Sequence, residues 1–277
     1  PHTERRLRLV TDLQPALDRG EVTVYYQPKA AAGDGRVVGV EALVRWRHPA
    51  LGMVGPHEFV PLAEQVGLLG QLTRLVLDTA LRQQAAWAAM GHSLGVSVNV
   101  SARDLADKDL PRDVSRALAA TSTTPDALTL EITESSVMSD VARSVAVLDD
   151  LAGLGVRLSV DDFGTGYSSL AYLGQLRVHE LKIDKSFVRA LDDPAGARRG
   201  AGTLLRTTVR LGHDLGLTVV AEGVEDTAAW TRLADLGCDL IQGYVLARPA
   251  PAAEVTAWLA NTNDLAAGAV YPSARAG

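Results

Sequence analysis

The chain has 277 residues, 47% of them hydrophobic and 22% charged, with a formal net charge of −6 at pH 7. These proportions are ordinary for a globular protein, and the longest apolar runs fall far short of the ~20 residues that a bilayer span needs. The acidic balance argues against a broad surface for DNA or RNA polymers.

Cys238 is alone, which excludes an intramolecular disulfide and fits a reducing, cytoplasmic setting. The six histidines show no HExxH-type spacing, so oxygen ligands are expected for any bound metal. No charged-then-apolar leader opens the chain. Because it begins at Pro1 and not at Met, it is expected to be cut from a longer protein. A sensor domain or a membrane anchor is expected upstream.

In chain order, Leu7, Val10, Leu13 and Leu17 recur at helical spacing, which predicts a leading helix within residues 1–20. VTVYYQP (22–28) and VVGVEALVRW (37–46) read as strands. Eight residues separate Pro28 from Val37, with Gly33-Asp34-Gly35 at the turn. A parallel crossover needs about a dozen or more, so these two strands are expected to be antiparallel. Helical stretches near 57–66 and 70–90 precede a strand at 94–100, and a helix near 111–120 precedes one at 127–132. The next helix, SDVARSVAVLDDLAGLG, is expected to start on a Ser139 cap and stop at Gly155. Strands near 156–161, 178–183, 218–222 and 239–242 follow, with a Gly-rich connection at 191–202. Strands alternating with helices in this way predict a (β/α)₈ barrel over residues 21–260 whose first strand runs against its second. Residues 261–277 lack apolar periodicity and read as a tail.

The strands share a second property. Glu41 follows VVGV, Asn99 closes LGVSVN, Glu131 closes ALTLE, and Asp161-Asp162 close VRLSV. Lys182 falls in HELKID, Glu222 closes TVVAE and Gln242 closes LIQ. One polar residue where a strand meets its loop is an ordinary cap or turn former. Strand after strand ending so places these groups together at the C-terminal face of a barrel, where active sites lie. Two like charges at about 4 Å repel by about 4 kcal/mol at an effective dielectric of about 20, so five converging carboxylates need cations. Carboxylate and amide oxygens select Mg²⁺ or Mn²⁺. The adjacent Asp161 and Asp162 would let one carboxylate bridge two metals, an arrangement suited to in-line attack on a phosphodiester. Ca²⁺, with its longer bonds and higher coordination number, is expected to bind and inhibit. Lys182 is placed to orient or polarise the attacking water, or else is a solvated strand-end lysine.

At these residues the chain resembles a known family. EALVRWRHP (41–49), NVS (99–101), LEITES (130–135), DDFGTGYSSL (161–170), LKIDKSFV (181–188), AEGVE (221–225) and QGY (242–244) are similar to the EAL family of cyclic di-GMP phosphodiesterases. The match runs in order over about residues 22–250. The resemblance implies that Glu41, Asn99, Glu131 and Asp161 hold a first metal, and that Asp161, Asp162 and Glu222 hold a second. Lys182 would position the hydrolytic water. Gln27, Leu43, Arg45 and Gln242 would meet the dinucleotide, with Arg45 donating to a phosphate oxygen. Glu134 would anchor the DDFGTGYSSL loop within a homodimer contact, or else simply lead into the next helix.

The expected reaction opens cyclic di-GMP to linear 5′-pGpG. The family also implies an upstream sensor or diguanylate cyclase (GGDEF) domain in the full-length protein. Some members resemble cyclic di-GMP receptors that have lost metal-binding acids; here every such position is intact. A silent receptor is the rival reading. A sugar-cleaving barrel with paired carboxylates would explain neither Asp161-Asp162 nor Lys182.

Overall fold

In several barrel strands, apolar residues alternate with polar ones. In β4 (Gly95–Val100), Val96, Val98 and Val100 are buried in the apolar core between Ser97 and Asn99. In β5 (Leu128–Thr133), Leu128, Leu130 and Ile132 alternate with Thr129 and Glu131. Successive strand residues point to opposite faces, so the apolar set packs outward on helices while the polar set lines the barrel interior. The strands are therefore not uniformly apolar, as their Val, Ile and Leu content alone would imply.

The computed structural model describes residues 2–138, 140–164, 174–192 and 200–261. Its barrel comprises β1 (Val22–Ala31), β2 (Val37–His48), β4, β5, β6 (Arg157–Phe163), β7 (Glu180–Ile183), β8 (Thr218–Ala221) and β9 (Leu240–Gln242). From β2 through β9 each barrel strand pairs with the next in parallel. β1 closes the ring antiparallel to both β2 and β9. The expected reversal of the first pair is thus present and extends to the far side of β1. Two short strands, β3 (Gly52–Val54) on β2 and β10 (Ala250–Pro251) on β1, extend the sheet beyond the expected eight.

Helices occupy the expected intervals, among them α1 (His2–Asp18), α2 (Pro56–Gln65), α3 (Leu69–Ala89), α5 (Leu110–Thr121) and α7 (Val141–Gly153), with the short α4 (Ala102–Leu105) and α6 (Glu134–Met138) added. The expected cap Ser139 lies outside the described residues. Asp140 is the N-cap of α7, its side chain accepting from Arg143 N at 3.3 Å. Gly155 ends that segment in the left-handed region at φ 88°. No helix among the described residues is long and apolar enough to cross a membrane.

The apolar core lies between sheet and helices. Tyr26 and Trp87 meet edge to face at 5.0 Å, and Trp87 Nε1 donates to Thr256 Oγ1 at 2.7 Å. α1 docks on a satellite cluster through Leu9, Leu13, Ala16 and Leu17, packed with Trp46 and Phe59, and Arg5 makes a bidentate pair with Glu58 at 2.8 and 3.2 Å.

Two glycines let the backbone pass closely behind the barrel mouth. A Cβ on Gly223 (φ 64°) would meet the Cα of Lys185 at 3.3 Å, and one on Gly243 would overlap the Val224 backbone, with the carbonyl carbon 2.7 Å away. At Gly243 every obstructing atom is main chain and cannot swing aside. Gly243→Ala should therefore destabilise the fold by about 3 kcal/mol, the upper part of the range for overpacking. Urea denaturation checks this, and an unchanged midpoint would show that the Val224 backbone has room to move.

Candidate active and metal site

The expected site residues meet at one end of the barrel because register places them level with one another. Gln27 on β1 lies opposite Glu41 on β2, and Asn99 on β4 lies opposite Glu131 on β5. Asn99 Nδ2 donates to Glu41 Oε1 at 2.7 Å, and Gln242 Nε2 donates to Glu41 Oε2 at 2.5 Å and to Gln27 Oε1 at 3.4 Å. Three amides are thus tied to one another or to Glu41, which sits within β2 and not at its end.

β2 pairs with β4 only as far as Ala42. Its remaining residues continue with β1 as a ribbon beyond the rim. Leu43 and Arg45 follow Glu41 on the same face of that ribbon, half-buried, with the Arg45 guanidinium 5.8 Å from the Tyr25 ring centre.

Lys182 is fully buried at the centre of the acids. Its Nζ lies 2.6 Å from Glu131 Oε2, 2.6 Å from Glu222 Oε1, 3.4 Å from Asp161 Oδ2 and 3.6 Å from Glu41 Oε2. This corrects the alternative of a solvated strand-end lysine. Burial disfavours its charge, but Glu131, Glu222, Glu41 and Asp161 together outweigh that and raise its pKa well above the ordinary lysine value. The surrounding carboxylates thus favour its ammonium form.

Asp161 and Asp162 are neighbours in β6, and a regular strand would turn them to opposite faces. The β6–β7 register breaks at this point: Val160 pairs with Leu181 and Phe163 with Ile183, so two residues of β6 face only Lys182. Asp162 takes a left-handed conformation at φ 56°, which Asp tolerates better than most residues. Bulges of this kind re-aim side chains beside active sites. Asp161, Asp162 and Glu222 consequently each offer an oxygen within 4.8 Å of the others'.

Glu134 opens α6 directly after β5, and residues 165–170 of the loop it is expected to anchor lie outside the described residues. A second tier of polar residues below the mouth was not anticipated. Lys29 Nζ donates to Ser97 Oγ at 2.7 Å, Glu131 Oε1 at 3.3 Å and Glu180 Oε1 at 3.3 Å. The signal was present in the strand period: Lys29, Ser97 and Glu180 each stand two residues from a mouth residue, on the same face.

Six buried or rim carboxylates (Glu41, Glu131, Asp161, Asp162, Glu180 and Glu222) thus face two ammonium groups. When ionised, these carboxylates outnumber the two ammonium groups, an excess of negative charge that divalent cations would offset. Burial, reinforced by neighbouring carboxylates, pushes the Asp161 carboxyl up to about 7 and that of Glu222 up to about 8 despite Lys182. Burial also works against ionised Glu131, but Lys182 and Lys29 outweigh it and hold that carboxyl down at about 2. Gln242 Oε1 is a buried acceptor without a partner. This donor set fits divalent cations.

A carboxyl whose folded pKa is raised favours the folded state only while it is protonated. Chelator-treated protein should therefore lose stability between about pH 5 and pH 8, by about 1.4 kcal/mol per pH unit for each such group between its unfolded and folded pKa values. Asp161→Asn should flatten the profile. Urea midpoints across that range check this, and stability rising with pH would contradict the assignment.

The profile of the EAL domain family matches residues 10–249. The bifunctional diguanylate cyclase/cyclic di-GMP phosphodiesterase MucR of Pseudomonas aeruginosa is 43% identical over 264 residues, which cover 94% of this chain and 37% of that protein. The cyclic di-GMP phosphodiesterase NbdA of the same organism is 40% identical over 256 residues, covering 92% of this chain and 32% of NbdA. The chain thus spans about a third of the length of these relatives. The solved structure of the PaMucR phosphodiesterase in complex with c-di-GMP superposes with a TM-score of 0.85 at 43% identity, over 90% of this chain and 99% of that one. With the profile covering the barrel from α1 to the end of the QGY segment and beyond, the chain belongs to the EAL domain family.

Proposed function

We propose that this chain hydrolyses cyclic di-GMP to linear 5′-pGpG, using two divalent cations, Mg²⁺ or Mn²⁺, at the barrel mouth. The observation that carries the reading is the unbroken set of Glu41, Asn99, Glu131, Asp161, Asp162 and Glu222 around a buried Lys182. A silent receptor has no need of so costly a concentration of buried charge. The relatives named as cyclic di-GMP phosphodiesterases support the same substrate. Because those relatives are about three times as long, the domain is read as one part of a signalling protein.

Glu41, Asn99, Glu131 and Asp161 are assigned to the first cation, and Asp161, Asp162 and Glu222 to the second. When bound, the cations supply Lewis acidity toward the phosphoryl oxygens and make water nucleophilic near neutral pH. Lys182, buried among these carboxylates, is placed to orient the attacking water and to offset developing negative charge. Arg45, on the ribbon above the mouth, reaches a phosphate oxygen, while Gln27, Leu43 and Gln242 border the dinucleotide. One water is consumed: its oxygen joins phosphorus as one P–O3′ bond breaks, and the released 3′ oxygen takes a proton.

Incubation with cyclic di-GMP and Mg²⁺ or Mn²⁺, followed by chromatography, should yield the linear dinucleotide, with little or no product when Ca²⁺ is the sole divalent ion. Tight binding without turnover would favour the receptor instead. Lys182→Ala should lower kcat by at least about a hundredfold, in the range general acid–base and electrostatic groups contribute, with KM nearly unchanged. Recovery at raised metal concentration would move Lys182 from the chemistry to support of the metals.

A further inference from the structure

Lys29 has no part in the mechanism above, yet it is 4% exposed, deep in the barrel. Its three ammonium protons are all committed, to Ser97, Glu131 and Glu180, on strands β4, β5 and β7. Glu180 is equally enclosed at 4%. Burying such a pair costs several kcal/mol per ion, and well-packed apolar residues of similar volume would commonly stabilise the barrel as well or better. Filling space therefore does not explain the pair.

What an apolar side chain could not do is hold Glu131. Lys182 takes Oε2 at 2.6 Å and Lys29 takes Oε1 at 3.3 Å, so the carboxylate is gripped at both oxygens. Glu180, on the same strand as Lys182, holds Lys29 from below at 3.3 Å. We propose that Lys29 is a positioning residue: together with Ser97 and Glu180 it forms a polar shelf that fixes Glu131 in the orientation the first cation requires. This rests on the reading of Glu131 as a metal ligand.

Charge and position make opposite demands here, which gives the proposal a test of sign. By Coulomb attraction alone, Lys29→Met removes a positive charge near the site and should tighten cation binding. Loss of position should weaken it, by roughly ten- to a hundredfold, as for other groups that orient metal ligands. Mn²⁺ titration followed by electron paramagnetic resonance reads the affinity directly, without substrate or turnover. The double variant Lys29→Met/Glu180→Gln leaves the net charge unchanged, and it guards against misfolding of the single variant with its unpaired Glu180.

Weaker Mn²⁺ binding in both variants, with Lys29→Arg recovering most of the loss, is the expected result. Tighter binding in Lys29→Met, or wild-type affinity in the double variant, would overturn the proposal and leave Lys29 as the counter-ion of Glu180. Failure of the unaltered protein to bind Mn²⁺ would instead overturn the metal reading itself, and the role of Lys29 with it.

Discussion

Repulsion among carboxylates crowded at one end of a barrel is the constraint around which this protein is organised. An isolated buried carboxylate would give up its charge, and several together would do so more readily, as the upward shifts at Asp161 and Glu222 show. Lys182 counters this at the mouth and Lys29 one tier below, and both reach Glu131. Glu131 is accordingly held well below the ordinary carboxylate range. The two lysines do not complete the balance. The negative charge that remains is what, on the proposed reading, would attract cations and, through them, an anionic substrate.

The fold delivers these groups by simple geometric means. A parallel barrel sends every strand's C-terminal end to the same face, and the period of two turns alternate, often polar, residues to the inner wall while their neighbours build the apolar core outside. Two departures from regularity serve the site. β1 runs against both neighbours, so the β1–β2 ribbon continues past the rim and carries Leu43 and Arg45 beyond Glu41. The break of register at Asp161 and Asp162 turns two consecutive carboxylates toward one place. Holding a non-glycine residue in the left-handed region costs of order 1–3 kcal/mol and persists only where surrounding structure imposes it; here the pairings on either side of the bulge do so.

Much of this was legible in the amino-acid sequence. The rhythm of short strands and helices determined the barrel, and eight residues between Pro28 and Val37 determined that the first pair is antiparallel, because no crossover fits in that length. The ordered polar residues, from Glu41 to Gln242, pointed to the end of the barrel where the structure brings them together as a candidate site. Those signals are local, each contained within a few residues of chain. The tertiary structure alone decided the enclosure of Lys182, the shared direction of Asp161 and Asp162, and the tier formed by Lys29, Ser97 and Glu180. Each depends on the register between strands far apart in the chain: Lys29 and Glu180 are separated by 151 positions, and β6 departs from regular alternation only because β7 pairs on both sides of its bulge. A local pattern can say that a residue faces inward, but which charge it meets there is set by how the barrel closes.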